Sequence, residues 1–492
     1  VSRRAPLAPA LVLALLAAVG CAAPAPGPDL QILGGGPLPR AGDRLPATSA
    51  IFDGTTVRLR GVPGETLAVA VAHAGGASRA VALAIDGVAV AGFTVDHVAV
   101  NRPSTSMYGK SRGRGRYPDR LTATTGAIAS ERLAWFDVAL TTPGRYAGQL
   151  AVGDARFPVE LTIEPTARLD VAAAPRVWAY YEPAELGANV DLDTEWRYAE
   201  LMRGYGVMAT PELTQDNWTA RQRWVAGARY VPVWLSREPT EVGAEVAAWI
   251  ARTAGTGVVP FAIPVDEPRT DEKRAKVRAL SAAARAAAGA GAGRFLYAVT
   301  HAPDPRLGDA IDVYIAPGAA RDRTLARDRA WTYNGSPGWA GAMVVDDAGG
   351  GPRTWGWLAF AYDVPLWYVW DALYWRDRYR RGDDAPPLDL LRDPITFDDG
   401  EDRGALDGVL VYPGPRPSIR LAELRRGLLD RALLEALTAC AGRAAADAIV
   451  AAVVPATGAP RWPRTDVAWE ALRVRILDGL ATCRAPALTP PG

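Results

Sequence analysis

Residues 257–277 read GVVPFAIPVDEPRTDEKRAKV: a short apolar run stops at Asp266-Glu267-Pro268 and a charged, helix-like segment follows. Acidic residues are common just before a helix, where they offset its dipole. Here Thr270, Asp271 and Glu272 already make a helix start, so Asp266 and Glu267 are surplus to that role. Two adjacent carboxylates repel, so one of them readily holds a proton, as a general acid must at neutral pH. Glycoside cleavage uses one carboxylic acid to protonate the leaving oxygen while a second group handles the developing positive charge. Side chains adjacent on one turn do not flank a bond from opposite faces. They suit cleavage in which the sugar's own 2-acetamido oxygen attacks, with Asp266 orienting the acetamide N–H and Glu267 acting as acid and then base.

Such a pair needs a strand to end beneath it. After Ala174, short apolar runs (RVWAYYE, VMATPEL, ARYVPVWL, GVVPFAIPV, RFLYAVT, IDVYIAP, AWTYNG, GAMVVDD, PLWYVWDALYW) alternate with helical segments for roughly 250 residues. An open doubly wound sheet gives the same texture, but the lengths and the lack of any Gly-rich phosphate-binding fingerprint favour a (β/α)8 barrel of the TIM type over 175–440, where chemistry sits at the C-terminal ends of the strands. Residues 49–168 alternate apolar and polar positions between PG, GG, DG and GD turns, which predicts an antiparallel β-sandwich. Its arginine-glycine run, GKSRGRGRYPDRL at 109–121, reads as a solvated or anion-contacting loop. Residues 22–48 are rich in Pro, Gly and Ala and read as a tether. Residues 441–492 read as a helical C-terminal extension and tail. Within SIRLAELRRGLLD, Ser418 is placed to cap a helix whose arginines brace the barrel.

The 492-residue chain is 49% hydrophobic and 22% charged with a net charge of +1, which gives no electrostatic reason to expect nucleic acid. Arg3-Arg4, the apolar stretch APLAPALVLALLAAVG and Cys21 read as an export signal ending in a lipobox. The expectation is a lipid on Cys21 and a place in the bacterial cell envelope. Cys440 and Cys483 then remain, either paired or as two separate thiols. His73, His97 and His301 are scattered, without metal-ligand spacing, so no metal and no organic cofactor is expected.

Beyond the VDEP turn, RGRYPDRL, WFDVALTTPGRYAGQLAV, PRTWGWLAFAYDVPLWYVWDALYW and DGVLVYPGPRPSIRLAELRRGLLD occur in order between about residues 50 and 440. Together they resemble glycoside hydrolase family 123 and the related domain of unknown function 4091. The resemblance implies a β-sandwich followed by a barrel and activity on β-linked N-acetylgalactosamine or a similar N-acetylhexosamine. It places the family's Asp-Glu pair on Asp266 and Glu267.

Thirteen of the sixteen tryptophans fall between Trp178 and Trp375. Trp331, Tyr333, Trp370, Tyr374 and Trp375 lie near the ends of the late strands, where rings can stack on sugar faces. Tyr333 is the expected donor to the acetamide oxygen, and His301 is placed to line the same mouth. Two other readings stay open: a catalytically silent glycan-binding surface lipoprotein, and a glycosidase acting on sugars that lack an acetamide.

Overall fold

The computed structural model describes residues 28–74, 78–289, 294–317, 319–321, 325–335 and 338–483. The export signal and Cys21 lie outside the described residues.

Ten strands form two facing sheets: β1 (Leu30–Leu33), β2 (Val57–Gly61), β3 (Thr66–His73), β4 (Arg79–Ile85), β5 (Ala89–Val100), β6 (Gly115–Thr124), β7 (Ile128–Ser130), β8 (Leu133–Ala139), β9 (Gly144–Val152) and β10 (Ala155–Ile163). The sheet orders are β1-β3-β8-β5-β6 and β2-β10-β9-β4-β7. Alternation makes the core: Leu150, Val152, Val159, Leu161 and Ile163 turn inward from the β9–β10 hairpin, while their neighbours face outward. The Asp86-Gly87 turn does not close a hairpin. It carries the chain from β4 in one sheet to β5 in the other. The expected tether is corrected here, because Leu30 to Leu33 pair with β3 and Ile32 and Leu33 are buried in the core. The composition of 22–48 suggested a linker, but its one apolar run, LQIL, finds an open sheet edge.

The second domain is a curled parallel sheet of eight strands: β11 (Val177–Ala179), β12 (Val207–Ala209), β13 (Tyr230–Pro232), β14 (Val259–Ala262), β15 (Leu296–Val299), β16 (Val313–Ile315), β17 (Ala330–Tyr333) and β18 (Trp367–Val369). They lie in the order β12-β11-β18-β17-β16-β15-β14-β13. Just past the end strands, Leu213 bridges Val233 in parallel. Leu213 N–H donates to Pro232 O at 3.1 Å, and Trp234 N–H donates to Leu213 O at 2.8 Å. The arrangement is TIM-like, but the crossovers are uneven. Full helices α1 (Leu192–Gly204), α3 (Pro239–Arg252), α4 (Asp271–Ala288) and α5 (Arg353–Ala361) alternate with the single turn α2 (Trp218–Arg221), and the described crossovers flanking β16 hold only 3-10 turns. GAMVVDD, read as a strand from its apolar run, is instead a buried segment of turns and bends over 341–347.

After β18 a single turn, α6 (Arg378–Arg381), precedes the helices α7 (Ile419–Ala441), α8 (Arg443–Val450) and α9 (Asp466–Thr482). Ser418 Oγ caps α7 by accepting from Leu421 N–H at 3.0 Å. The α7 arginines reach the sandwich as well as the barrel domain. Arg420 forks onto Asp119 at 3.1 and 2.9 Å, and Arg425 meets Asp137 at 2.7 Å. Arg353 of α5 pairs with Asp430 of α7 at 2.9 Å, while Asp363 pairs with Arg443. A Cβ on Gly356 would sit 1.8 Å from Gly427 O, so glycine at both positions lets α5 and α7 touch backbone to backbone. Cys440 and Cys483 form a disulfide with Cα atoms 5.8 Å apart, tying the end of α7 to the end of α9.

Candidate active site

The turn after β14 carries Asp266 and Glu267 at the C-terminal end of the parallel sheet. Helix α4 does not use either carboxylate for its start: Thr270 caps it, accepting from Lys273 N–H at 3.2 Å. Glu267 has φ +42°, in the left-handed region that a non-glycine residue adopts only under constraint, and Pro268 further disfavours that conformation. Several bonds hold the turn. Glu267 N–H donates to Thr300 Oγ1 at 3.1 Å, and Arg269 N–H donates to Glu267 O at 2.7 Å. Lys273 Nζ donates to the carbonyl oxygens of Asp266 and Glu267 at 3.0 and 3.4 Å.

The two carboxylates then differ in their partners. Asp266 Oδ1 accepts the Thr300 hydroxyl. Glu267 Oε2 meets Arg269 Nη2 at 2.9 Å, with side-chain exposures of 37% and 71%. That ion pair stands in water, where such pairs contribute about 0–1 kcal/mol. Arginine therefore covers Glu267 without locking it beneath a closed surface.

Tyr333, at the end of β17, is half-buried beside the pair. Its phenol is pushed up to about 12 by burial first, then by the Glu267 and Asp266 carboxylates. It stays protonated and available to donate. Trp370 is half-buried, its Nε1–H donating to Asp407 Oδ1 at 3.2 Å and its N–H to Asn334 Oδ1 at 3.1 Å. His301 follows Thr300, with Nδ1 2.6 Å from Ala302 O.

Three expected sugar-binding aromatics belong to the core instead. Trp331 is fully buried between Tyr230 and Phe261, at ring distances of 4.8 and 4.9 Å. It lies two residues before Tyr333 on the same strand face, about 6.6 Å deeper, below the mouth. Trp375 is buried against Tyr198 with Nε1–H on Val411 O at 2.9 Å, and Tyr374 is buried with its hydroxyl accepting from Tyr379 N–H at 3.1 Å.

The sequence reading missed Thr300, Glu212, Glu182, Tyr180, Tyr368 and Trp234. Five of them stand just past a strand end, and that position is the signal that could have found them, while Tyr368 lies inside β18. Trp234 leaves β13 45% exposed. Tyr368 stacks on Trp178 at 4.4 Å, and Tyr180 donates its hydroxyl to Glu182 Oε2 at 2.6 Å. Glu212, beside the Leu213–Val233 bridge, is pushed up to about 7 by burial first; Arg237 opposes the rise, and the Asp266 and Glu182 carboxylates add to it. A carboxyl raised in the fold is unpenalised below its ordinary value near 4.5 and costs stability as pH climbs from there to about 7. Glu212→Gln is therefore expected to leave stability unchanged at pH 4 and to raise it by roughly 1–3 kcal/mol at pH 8. Urea unfolding at the two pH values checks this, and an equal effect at both refutes it.

Among solved structures, the chain is similar to a family 123 glycoside hydrolase from Clostridium perfringens described for glycolipid glycan hydrolysis. The TM-score is 0.57 at 11% identity, over 87% of this chain and 94% of that one. The two share a fold. A glycosyl hydrolase family 2 member from Bacteroides cellulosilyticus aligns over 65% of this chain and 44% of its own at 9% identity, with a TM-score of 0.28. An FMN-binding beta-glucuronidase from Facaelibacterium prausnitzii aligns over 70% and 59% at 10% identity, also at 0.28. Scores that low say nothing about the site. No protein-family model matches the chain, and no curated protein sequence matches it.

Proposed function

We propose that the chain is a retaining glycoside hydrolase acting on β-linked N-acetylhexosaminides, N-acetylgalactosamine foremost, on a TIM-type barrel. The observation that carries the reading is the 266–267 turn: two adjacent carboxylates at a strand's C-terminal end, neither used to cap the helix, beside a phenol that keeps its proton. Glu267 donates a proton to the glycosidic oxygen as the acetamide carbonyl oxygen attacks the anomeric carbon. Asp266 accepts the acetamide N–H and balances the oxazolinium charge, and Tyr333 donates to the acetamide oxygen. Water then attacks the anomeric carbon, Glu267 takes its proton, and the β configuration is retained. Arg269 must leave Glu267 Oε2 for the first step, which a solvent-exposed pair permits at small cost.

That same arginine favours a second reading, a silent glycan-binding protein in which Glu267 never donates. Residues 22–492 assayed on chromogenic β-N-acetylgalactosaminides and glucosaminides, with a thiazoline mimic of the oxazoline as inhibitor, separate the two. Turnover blocked by the thiazoline supports the acetamide mechanism. Turnover of plain galactosides, indifferent to the thiazoline, points to a glycosidase on sugars without an acetamide. Sugar binding without turnover on any glycan leaves the silent binder.

We also propose that Cys21 carries a lipid that anchors the protein in the cell envelope, on the strength of the AAVGC motif. Cys21→Ser is expected to move the protein out of the detergent-extracted membrane fraction; unchanged partition refutes the anchor.

A further inference from the structure

We propose that Thr300 is the positioning residue of the Asp266–Glu267 pair, its single hydroxyl setting the geometry of both carboxylates at once. The proposal rests on the hydrolase reading above and adds a residue from a neighbouring strand to it.

Strand β15 lies beside β14 in parallel register, Phe261 opposite Leu296 and Ala262 opposite Tyr297. Thr300, the first residue past β15, is thereby held against the turn that follows β14, and it is 8% exposed. Its Oγ1 accepts the Glu267 N–H at 3.1 Å and donates to Asp266 Oδ1. A backbone N–H can only donate, and a hydroxyl has one proton to give. The bond from Glu267 therefore fills one acceptor site of Oγ1, and the hydroxyl proton goes to Asp266.

Two consequences follow. Asp266 Oδ1 already accepts one bond, which fixes the carboxylate plane and leaves Oδ2 the freer oxygen to take a substrate N–H. Glu267 is tied by its backbone to the same atom that orients Asp266, which holds its left-handed conformation. Lys273 closes the clamp on the carbonyl side of the turn. Arg269 meets Glu267 in an exposed ion pair and makes no ion pair with Asp266 among the described residues, so it does not register the two acids against each other. Chemistry that needs one carboxylate on the acetamide and the other on the glycosidic oxygen depends on that registration, and misplacement by about 1 Å costs rate on the order of 100-fold.

The experiment compares Thr300→Val, which keeps the shape and deletes the hydroxyl, with Thr300→Ser, which keeps the hydroxyl. Both are assayed as residues 22–492 on an aryl β-N-acetylgalactosaminide and for thiazoline affinity. Thr300→Val is expected to lose about 100-fold in kcat, with KM little changed and thiazoline affinity falling in parallel; Thr300→Ser is expected to stay close to wild type. A hydroxyl with a merely structural role would not move kcat and thiazoline affinity together while sparing KM. Wild-type kcat and thiazoline affinity in Thr300→Val overturn the proposal, as does a Thr300→Ser variant as impaired as Thr300→Val. If Thr300→Val does not fold, Thr300→Ala is judged by the same criteria. A wild-type protein that neither turns over these substrates nor binds thiazoline brings down the functional reading and this proposal together. An active wild type with an unaffected Thr300→Val brings down only the proposal.

Discussion

Glu267→Gln is expected to lower kcat on β-N-acetylhexosaminides with poor leaving groups by about 10²–10⁴-fold, the range for losing a positioned general acid. Gln keeps the shape of the side chain and still carries two polar atoms, but it has no transferable proton, so an alkoxide would have to leave unassisted. A leaving group that is stable as an anion, such as 2,4-dinitrophenolate, needs no such help, and on it the first step is expected to recover most of its rate. The substitution also removes the charge that Arg269 meets. Because that pair is exposed, its loss is expected to cost the fold about 0–1 kcal/mol, so thermal melting close to wild type accompanies the loss of rate. Sugar affinity is expected to persist. A kcat within tenfold of wild type on an alkyl glycoside would remove Glu267 from the acid role.

Asp266→Asn is expected to fail differently. The oxazolinium-like intermediate bears positive charge at the acetamide, and removing one preorganised electrostatic partner of a developing charge costs about 10²–10³-fold in kcat. Asn is nearly isosteric, but only one of its two polar atoms accepts. If that oxygen keeps the Thr300 hydroxyl, the amide NH2 faces the acetamide N–H donor to donor. If it turns to the substrate, the NH2 faces the Thr300 hydroxyl. The first arrangement loses the bond to the acetamide, the second reverses the Thr300 bond and leaves that hydroxyl proton without its carboxylate, and both lose the charge. The lost charge stabilises the acetamide side of the transition state whichever group departs, so a reactive aryl leaving group is not expected to rescue the defect, in contrast to Glu267→Gln. Thiazoline affinity should fall in step with kcat. Rescue by 2,4-dinitrophenolate to the same degree in both variants would show that the two acids do not divide the work as proposed.

The apolar run ending at Asp266, the Thr270 cap, the period-two strands of the sandwich and the Ser418 cap are local features. Dihedral preference, periodicity and capping act within a few residues, and these elements stand where they were read. Composition misled at residues 22–48, where LQIL had to find its edge position beside β3, some forty residues away. Periodicity misled at GAMVVDD, because a buried apolar run has the same pattern whether or not a neighbouring strand is present to pair with it.

Which side chains share the mouth was a tertiary decision. Trp331 and Tyr333 have the same chemistry on paper; two residues of rise put one in the packed interior and the other at the rim. Thr300 meets the 266–267 turn because β15 lies beside β14, and Glu212 feels the Asp266 charge where the Leu213–Val233 bridge brings the end of β12 to β13. The α7 arginines found Asp119 and Asp137 of the sandwich, about three hundred residues back along the chain. Local sequence therefore determined the capped helix starts and the periodic strands, and with them which residues stand near strand ends. The partners that give those residues protons, charges and fixed directions come from strands and helices distant in sequence, and only packing and register could choose them.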